Sequence, residues 1–245
     1  MGKIEEAVKT EITFAIGDIH GCLAKLVALL KWCDAIGRAK KARYVFLGDY
    51  VDRGPETRGV VEMLIERQRM DPDGVICLRG NHEQMLLRAS RPDRSDRELM
   101  TWLKNGGQQT LASYAADDPC EIFPDHIAWF ESLPLRHSEA SRMYVHAGVR
   151  PGTPLDSQTE EDLLWIREPF LSSTESHEMF IVHGHTPVKL PDFRTNRLNL
   201  DTGACFGGRL TAAMFDDQKL PTMFINDLRV VSWPDVHSGT SGAAS

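Results

Sequence analysis

Five short segments concentrate the side chains that could do chemistry. They are GDIHG (17–21), GDYVDRG (48–54), RGNHE (79–83), HAG (146–148) and HGHT (183–186). Each sets Asp, His or Asn beside Gly: Asp18 and His20, Asp49 and Asp52, Asn81 and His82, His146, then His183 and His185. Singly, each has a plain reading. An Asp after a strand usually caps free backbone N–H groups, and a Gly usually marks a positive φ. A lone His is more often a hydrogen-bonded surface or core residue. If the loops meet, the plain reading fails, because carboxylates gathered without a counter-charge destabilise one another and raise each other's pKa. One or two divalent metal ions remove that problem. The donors would be imidazole, carboxylate and amide oxygen without thiolate, which suits manganese, iron or zinc better than calcium.

The elements around these segments predict that the loops do meet. ITFAI (12–16), RYVFL (43–47) and GVICL (74–78) read as strands, each running into one of the first three segments. LAKLVALLKWCDAIG, RGVVEMLIERQRM and EQMLLRA follow as helices, the first with Leu23, Leu26, Val27, Leu30 and Cys33 at helical spacing. Strand, loop and helix in repeated order imply βαβ units with parallel strands. In open α/β sheets the loops at the carboxyl ends of the strands carry the ligand site.

Residues 91–134 break the rhythm, and we read them as a helical insertion over the site, ending in a helix at PDHIAWFESLP (124–134). Beyond it, MYVHAG, MFIVHGHT, RLNLDTG, RLTAAMFD, TMFIN and RVVSW read as strands of a second sheet packed on the first, interrupted by a helix in SQTEEDLLWIREPF (157–170). A single catalytic domain over residues 1–234 is expected, with a small polar tail at 235–245 that is disordered. The expected fold class is α/β, with a second sheet packed on the first.

Composition narrows the function classes. The 245-residue chain carries 28 basic against 35 acidic residues, a net charge of −7, which disfavours tight sequence-independent nucleic-acid binding. No run approaches the ~18 apolar residues of a membrane span, and the first residues hold no apolar signal core. The five cysteines are odd in number and scattered without a C-x-x-C pair, which argues for reduced thiols and a cytoplasmic protein. Cys33 and Cys77 lie in apolar surroundings and read as core residues.

The ordered set GDIHG, GDYVDRG, LRGNHE, HAG and HGHT resembles the PPP-type phosphoprotein phosphatases of the calcineurin-like metallophosphoesterases. The likeness runs over roughly residues 12–215 and is greatest to small bacterial and phage serine/threonine protein phosphatases. It implies a metallophosphoesterase fold, a two-sheet β-sandwich flanked by helices, with a dinuclear metal centre at the carboxyl ends of the strands. By motif position, Asp18, His20 and Asp49 hold the first metal, and Asp49 bridges to a second completed by Asn81, His146 and His185. Manganese is the expected ion, with iron or zinc as alternatives. A hydroxide bridging the two metals is expected to attack phosphorus in line. Arg53 and Arg167 are the candidate phosphate ligands, because guanidinium forks match phosphate oxygens. His82 is the candidate general acid, steadied by a hydrogen bond that it gives to Asp52, which is then not a ligand. His183 has a supporting role.

The implied activity is hydrolysis of phosphoserine and phosphothreonine monoesters in phosphorylated proteins or peptides, with phosphotyrosine as an extension. No nucleic-acid or membrane partner is expected. The alternative is symmetrical hydrolysis of diadenosine tetraphosphate. Those enzymes tend to carry GNHD where this chain has GNHE, and often Gln in place of His20. A non-catalytic binding module and a nuclease are further readings. The complete ligand set argues against the first, and the acidic balance argues against the second.

Overall fold

The computed structural model describes residues 11–232 apart from 39, 140 and 217, so the expected tail at 235–245 lies outside the described residues. Strands β1 (Glu11–Ile16), β2 (Lys41–Phe46) and β3 (Val75–Cys77) are parallel and are joined through helices α1 (Leu23–Gly37) and α2 (Thr57–Met70). Ile16 pairs with Phe46, and Phe46 with Cys77, so the three strands end level with one another. That register brings the loops carrying Asp18, Asp49 and Asn81 to one edge. Helix α3 (Asn81–Ala89) begins at the third of these loops.

The second sheet has the order β4-β5-β6-β8-β7, with β4 at Arg136–Glu139, β5 at Arg142–Val145, β6 at Phe180–His183, β7 at Asp192–Phe193 and β8 at Arg197–Asn199. Its parallel members β5, β6 and β8 deliver His146, His185 and Asp201 to the same edge. The late strands divide, contrary to the expectation that they form one second sheet. β9 (Thr211–Phe215) pairs antiparallel with β1, β10 (Met223–Asn226) antiparallel with β9 and β11 (Val230–Ser232) antiparallel with β10, giving the first sheet the order β11-β10-β9-β1-β2-β3. Their apolar content fits either sheet; pairing with the otherwise bare edge of β1 decides.

Side-chain alternation along the strands builds the layers. Phe14, Ile16 and Phe46 pack with Leu26, Leu30, Val60 and Leu64 under the helices. The intervening Ala15, Val45 and Leu47 face Tyr144, Phe180, Val182 and Leu198 between the sheets. Met143, Val145 and Ile181 cover the far face with Leu163 and Phe170. Each fully buried large side chain contributes roughly 1.5–3 kcal/mol. Cys33 and Cys77 are both buried.

Glu139 ties the two sheets together. It accepts from Thr13 Oγ1 (2.8 Å) and Arg43 Nη1 (3.0 Å) of the first sheet and from Arg142 Nη2 (2.9 Å) and Tyr144 Oη (2.8 Å) of the second.

Between residues 91 and 134 lie α4 (Asp96–Trp102), a π-helical turn (Leu103–Gly107), α5 (Gln108–Tyr114) and α6 (Pro124–Ser132). Ser95 caps α4 in a reciprocal box with Glu98. The helix expected over 157–170 is only α7, Glu160–Trp165, capped by Thr159 and ended by extended backbone at Ile166. Among the described residues no helix is long and apolar enough to cross a membrane.

Candidate metal centre

Asp49 is the hub of the edge where the sheets' loops meet. Its Oδ2 lies 3.3 Å from His20 Nε2 and 3.9 Å from His82 Nε2, and its Oδ1 lies 3.3 Å from His146 Nε2. Burial opposes its charge, but the imidazoles of His146, His82 and His20 hold its carboxyl well below the usual carboxylate range. Asn81 Oδ1 joins the other side, 2.8 Å from His146 Nε2 and 2.9 Å from His185 Nδ1. Among the described residues, two triplets are compact enough to hold an ion each: His20, Asp49 and His82, and Asp49, His146 and His185.

The loops that bring these groups together are locally unusual. Gly48 has φ of 100°, and a Cβ there would stand 2.7 Å from Gly80 N and Cα, so only glycine lets the second and third loops touch. Glu83 then fastens them: its carboxylate accepts from the backbone N–H of Asp49 (2.9 Å), Tyr50 (2.7 Å), Val51 (3.2 Å) and Gly80 (2.8 Å). Burial and the Asp49 charge push the Glu83 carboxyl up to about 7 against the Tyr50, Gly80 and Val51 donors. His20 and His146 are aimed by Nδ1 contacts to the Val51 carbonyl (2.7 Å) and the Leu47 carbonyl (2.9 Å).

Three observations fit divalent ions at this edge. The buried Nε2 of His185 has no hydrogen-bond partner among the described residues. Burial, then the carboxylates of Asp201 and Asp49, push the Asp18 carboxyl well above its ordinary value, a penalty that a cation would remove. Burial, followed by the charge of His146, pushes the His185 imidazole down to about 3, so it stands neutral with a lone pair free to bind. The donor set of carboxylate, imidazole and amide oxygen suits a transition ion.

The structure brings Asp18, His20, Asp49, Asp52, Arg53, Asn81, His82, His146 and His185 to one edge. Asp18 stands slightly apart, accepting the His185 backbone N–H at 3.1 and 3.2 Å. His82 Nδ1 is 2.7 Å from Asp52 Oδ2, and its Nε2 faces Asp49. Arg53 Nη1 is 2.7 Å from His20 Nε2, and its guanidinium lies over the exposed Phe206 ring. One ring nitrogen cannot serve both Arg53 and a cation. Arg167 is exposed at the rim, close enough for its charge to bear on His185. His183 lies behind the cluster, 3.3 Å from Arg197 Nη1 and against Phe170.

Several contributors escaped sequence reasoning. Trp102 Nε1 (3.0 Å) and Thr110 Oγ1 (2.7 Å) both donate to Asp52 Oδ1, so the helical insertion completes the surroundings of the dyad. The Asn105-Gly106-Gly107 run, which has no chemical reading in the sequence, forms the π turn. Gly106, at φ 105°, accepts the Arg53 backbone N–H at 3.1 Å. Asp201 is buried near Asp18 and binds the Gly203 N–H. Glu83 and Asp201 were visible as acids inside GNHE and NLDTG, but their roles depend on backbone donors that no side-chain pattern reveals.

Known proteins resemble this chain over most of its length. The chain is 33% identical over 220 residues to serine/threonine-protein phosphatase 1 of Salmonella typhimurium, covering 85% of this chain and 94% of that one. It is 28% identical over 231 residues to an asymmetrical bis(5'-nucleosyl)-tetraphosphatase of Halalkalibacterium halodurans, covering 82% and 89%. A solved structure provisionally described as a diadenosine tetraphosphatase shares the fold, with a TM-score of 0.65 at 24% identity over 86% of this chain and 90% of that one. The calcineurin-like phosphoesterase model matches residues 13–225. The chain therefore belongs to the calcineurin-like metallophosphoesterases, hydrolases that work with divalent metal ions.

Proposed function

We propose that this hydrolase is a phosphoprotein phosphatase acting on phosphoserine and phosphothreonine, with phosphotyrosine as an extension. The observation that carries the reading is the His82–Asp52 pair, which places an imidazole Nε2 beside the ligand cluster. A serine or threonine alkoxide is a poor leaving group and needs a proton donor. A nucleotide phosphate leaves more readily and needs one less. The likeness to the Salmonella phosphatase supports the same choice.

In this reading Asp18, His20, Asp49, Asn81, His146 and His185 hold two divalent ions, with manganese proposed first. When bound, the ions activate water and neutralise charge at phosphorus. The chain's own residues supply the rest. Arg53 and Arg167 orient the phosphate oxygens. His82 gives its Nε2 proton to the departing oxygen, while Asp52 holds the ring through Nδ1. Trp102 and Thr110 fix Asp52 in turn. The proposed setting is the cytoplasm, with phosphorylated proteins as partners and neither nucleic acid nor membrane.

A second reading is dinucleotide tetraphosphate hydrolysis, favoured by the 28% relative. That relative is named asymmetrical, so the cut to test is the uneven one rather than the symmetrical cut weighed from sequence. Phosphopeptides and diadenosine tetraphosphate assayed side by side with manganese separate the readings. Efficient phosphate release from phosphoserine peptides supports the first. Rapid uneven cleavage of the dinucleotide with inert peptides would overturn it.

A further inference from the structure

A groove of about 350 Å³ opens beside the metal centre, between α3, α4 and α7. Met85, Arg88, Arg97, Thr101 and Trp165 line it. Helix α3 connects it to the site. Asn81, Gln84, Met85 and Arg88 fall at helical spacings of three, four and seven, so they form one stripe running outward from the Asn81 ligand position. Gln84 Oε1 accepts the Trp165 indole N–H at 2.8 Å, which fixes the ring as the groove wall, and the same ring lies 6.2 Å from that of His185.

The charges in this groove are unusual for the chain. Arg88 and Arg97 are both exposed, and among the described residues neither pairs with a carboxylate, although acids outnumber bases 35 to 28. Arg88 ends α3, where a cation suits the helix dipole. Arg97 sits in the first turn of α4, where the dipole opposes a cation, so helix stability does not account for it. Two acids also line the groove. Glu98 is held by Ser95, accepting its N–H at 2.8 Å and its hydroxyl at 2.7 Å, and the Arg88 charge reaches it without forming an ion pair. Glu161 lies in the first turn of α7, where the helix end already favours it.

We propose that this groove is a specificity subsite that binds an acidic side chain of a phosphopeptide substrate, through Arg88 and Arg97 over the Trp165 wall. The inference rests on the phosphoprotein phosphatase reading. Its geometry sets a register. Seven helical residues from Asn81 to Arg88 span about 10 Å. An extended peptide advances about 3.3 Å per residue. The recognised acid therefore stands about three residues from the phosphorylated one.

The test is a phosphoserine peptide series, with a single Glu moved through the positions on both sides of the phosphate against an all-alanine reference, assayed with manganese. The expected result is kcat/KM raised roughly three- to tenfold by Glu about three residues away, an advantage that shrinks at high salt, as for exposed charge pairs. In Arg88→Ala/Arg97→Ala the ratio of acidic to neutral peptide falls to about one. In Arg88→Glu/Arg97→Glu a Lys at the same position becomes the favoured residue. A flat positional profile in the wild type, or an advantage that survives both pairs of substitutions, overturns the subsite while leaving the phosphatase reading intact. Failure of the wild type to release phosphate from any peptide or from p-nitrophenyl phosphate sinks the phosphatase reading itself, and the subsite with it.

Discussion

The replacement of Asp52 by Asn tests the division of labour at the centre. The Asp52 carboxylate is fully buried and only accepts: from His82 Nδ1 at 2.7 Å on Oδ2, from Thr110 Oγ1 at 2.7 Å on Oδ1, and from Trp102 Nε1 at 3.0 and 3.1 Å. An asparagine has one oxygen for these donors. That oxygen best takes the Oδ1 position, where Thr110 and Trp102 meet, so the new NH₂ faces His82. The ring must then accept at Nδ1 and carry its only proton on Nε2. A neutral imidazole is a far weaker acid than an imidazolium, so the proton that the leaving alkoxide needs is withheld.

General acid catalysis is worth about 10²–10⁴ in rate. Asp52→Asn should therefore slow phosphoserine peptide hydrolysis by roughly 100-fold or more. p-Nitrophenolate departs without a proton, so its phosphate should lose less than about tenfold. Losing one charge-assisted hydrogen bond costs about 1.5–3 kcal/mol of stability, within what a domain of this size tolerates. A thermal melt checks that the fold persists. Metal content should match the wild type by elemental analysis, because Asp52 makes its contacts behind His82. Equal losses on both substrates, or metal lost in step with activity, would refute this assignment of roles.

Asp49→Asn should instead strip bound metal and activity together; retention of stoichiometric metal would show that Asp49 is not the hub. Glu83→Gln sets an NH₂ group against backbone N–H donors and should lower stability by about 2–4 kcal/mol and weaken metal binding at least tenfold, read by calorimetry and metal titration; unchanged metal affinity would show that the loop holds itself. Glu139→Gln tests the tie between the sheets. Burial raises the Glu139 carboxyl, but its bonds from Arg142, Tyr144, Thr13 and Arg43 outweigh this and hold it below its ordinary value. A depressed native pKa adds stability above the unfolded value, near about 4.3, and that gain fades as pH falls through the native one. The melting-temperature gap between wild type and Glu139→Gln should therefore be wide at pH 7 and close below about pH 4; a gap independent of pH would mean that the charge contributes nothing.

Much of this edge was legible in the sequence because its chemistry sits at strand ends. A β-rich run followed by GDIHG or GDYVDRG fixes where Asp18 and Asp49 emerge, and parallel register does the rest. What stayed hidden was whatever depends on contacts between distant segments. Trp102 and Thr110 reach Asp52 from an insertion whose own pattern shows only short helices. Strand β4 (Arg136–Glu139), polar and partly exposed, carries little apolar alternation, yet Glu139 joins both sheets from it. α7 ends sooner than its composition suggests, because Ile166 leaves the helical conformation at φ −58° and ψ 136°. The late strands gave no sign of which sheet would take them, since pairing partners depend on a free edge rather than on residue type.

Backbone strain points to why the hidden residues matter. Among the described non-glycine residues, those with positive φ include His20 (46°), Asp49 (55°), Asp52 (71°), Arg53 (67°) and His185 (69°), all at the candidate centre. Each such residue costs on the order of 1–3 kcal/mol, so together they rival the stability of a whole domain. They persist because other segments brace them. Asp49 O accepts from both Ile19 N and His20 N, Thr110 Oγ1 takes the Asp52 N–H, and Gly106 O takes the Arg53 N–H. Glu83 holds three consecutive N–H groups from Asp49 to Val51. The ligands are thus presented by a lattice of backbone bonds whose members never touch substrate. A change in a brace should register first as weaker metal binding, because relaxing the strained φ angles moves the donor atoms before it opens the core.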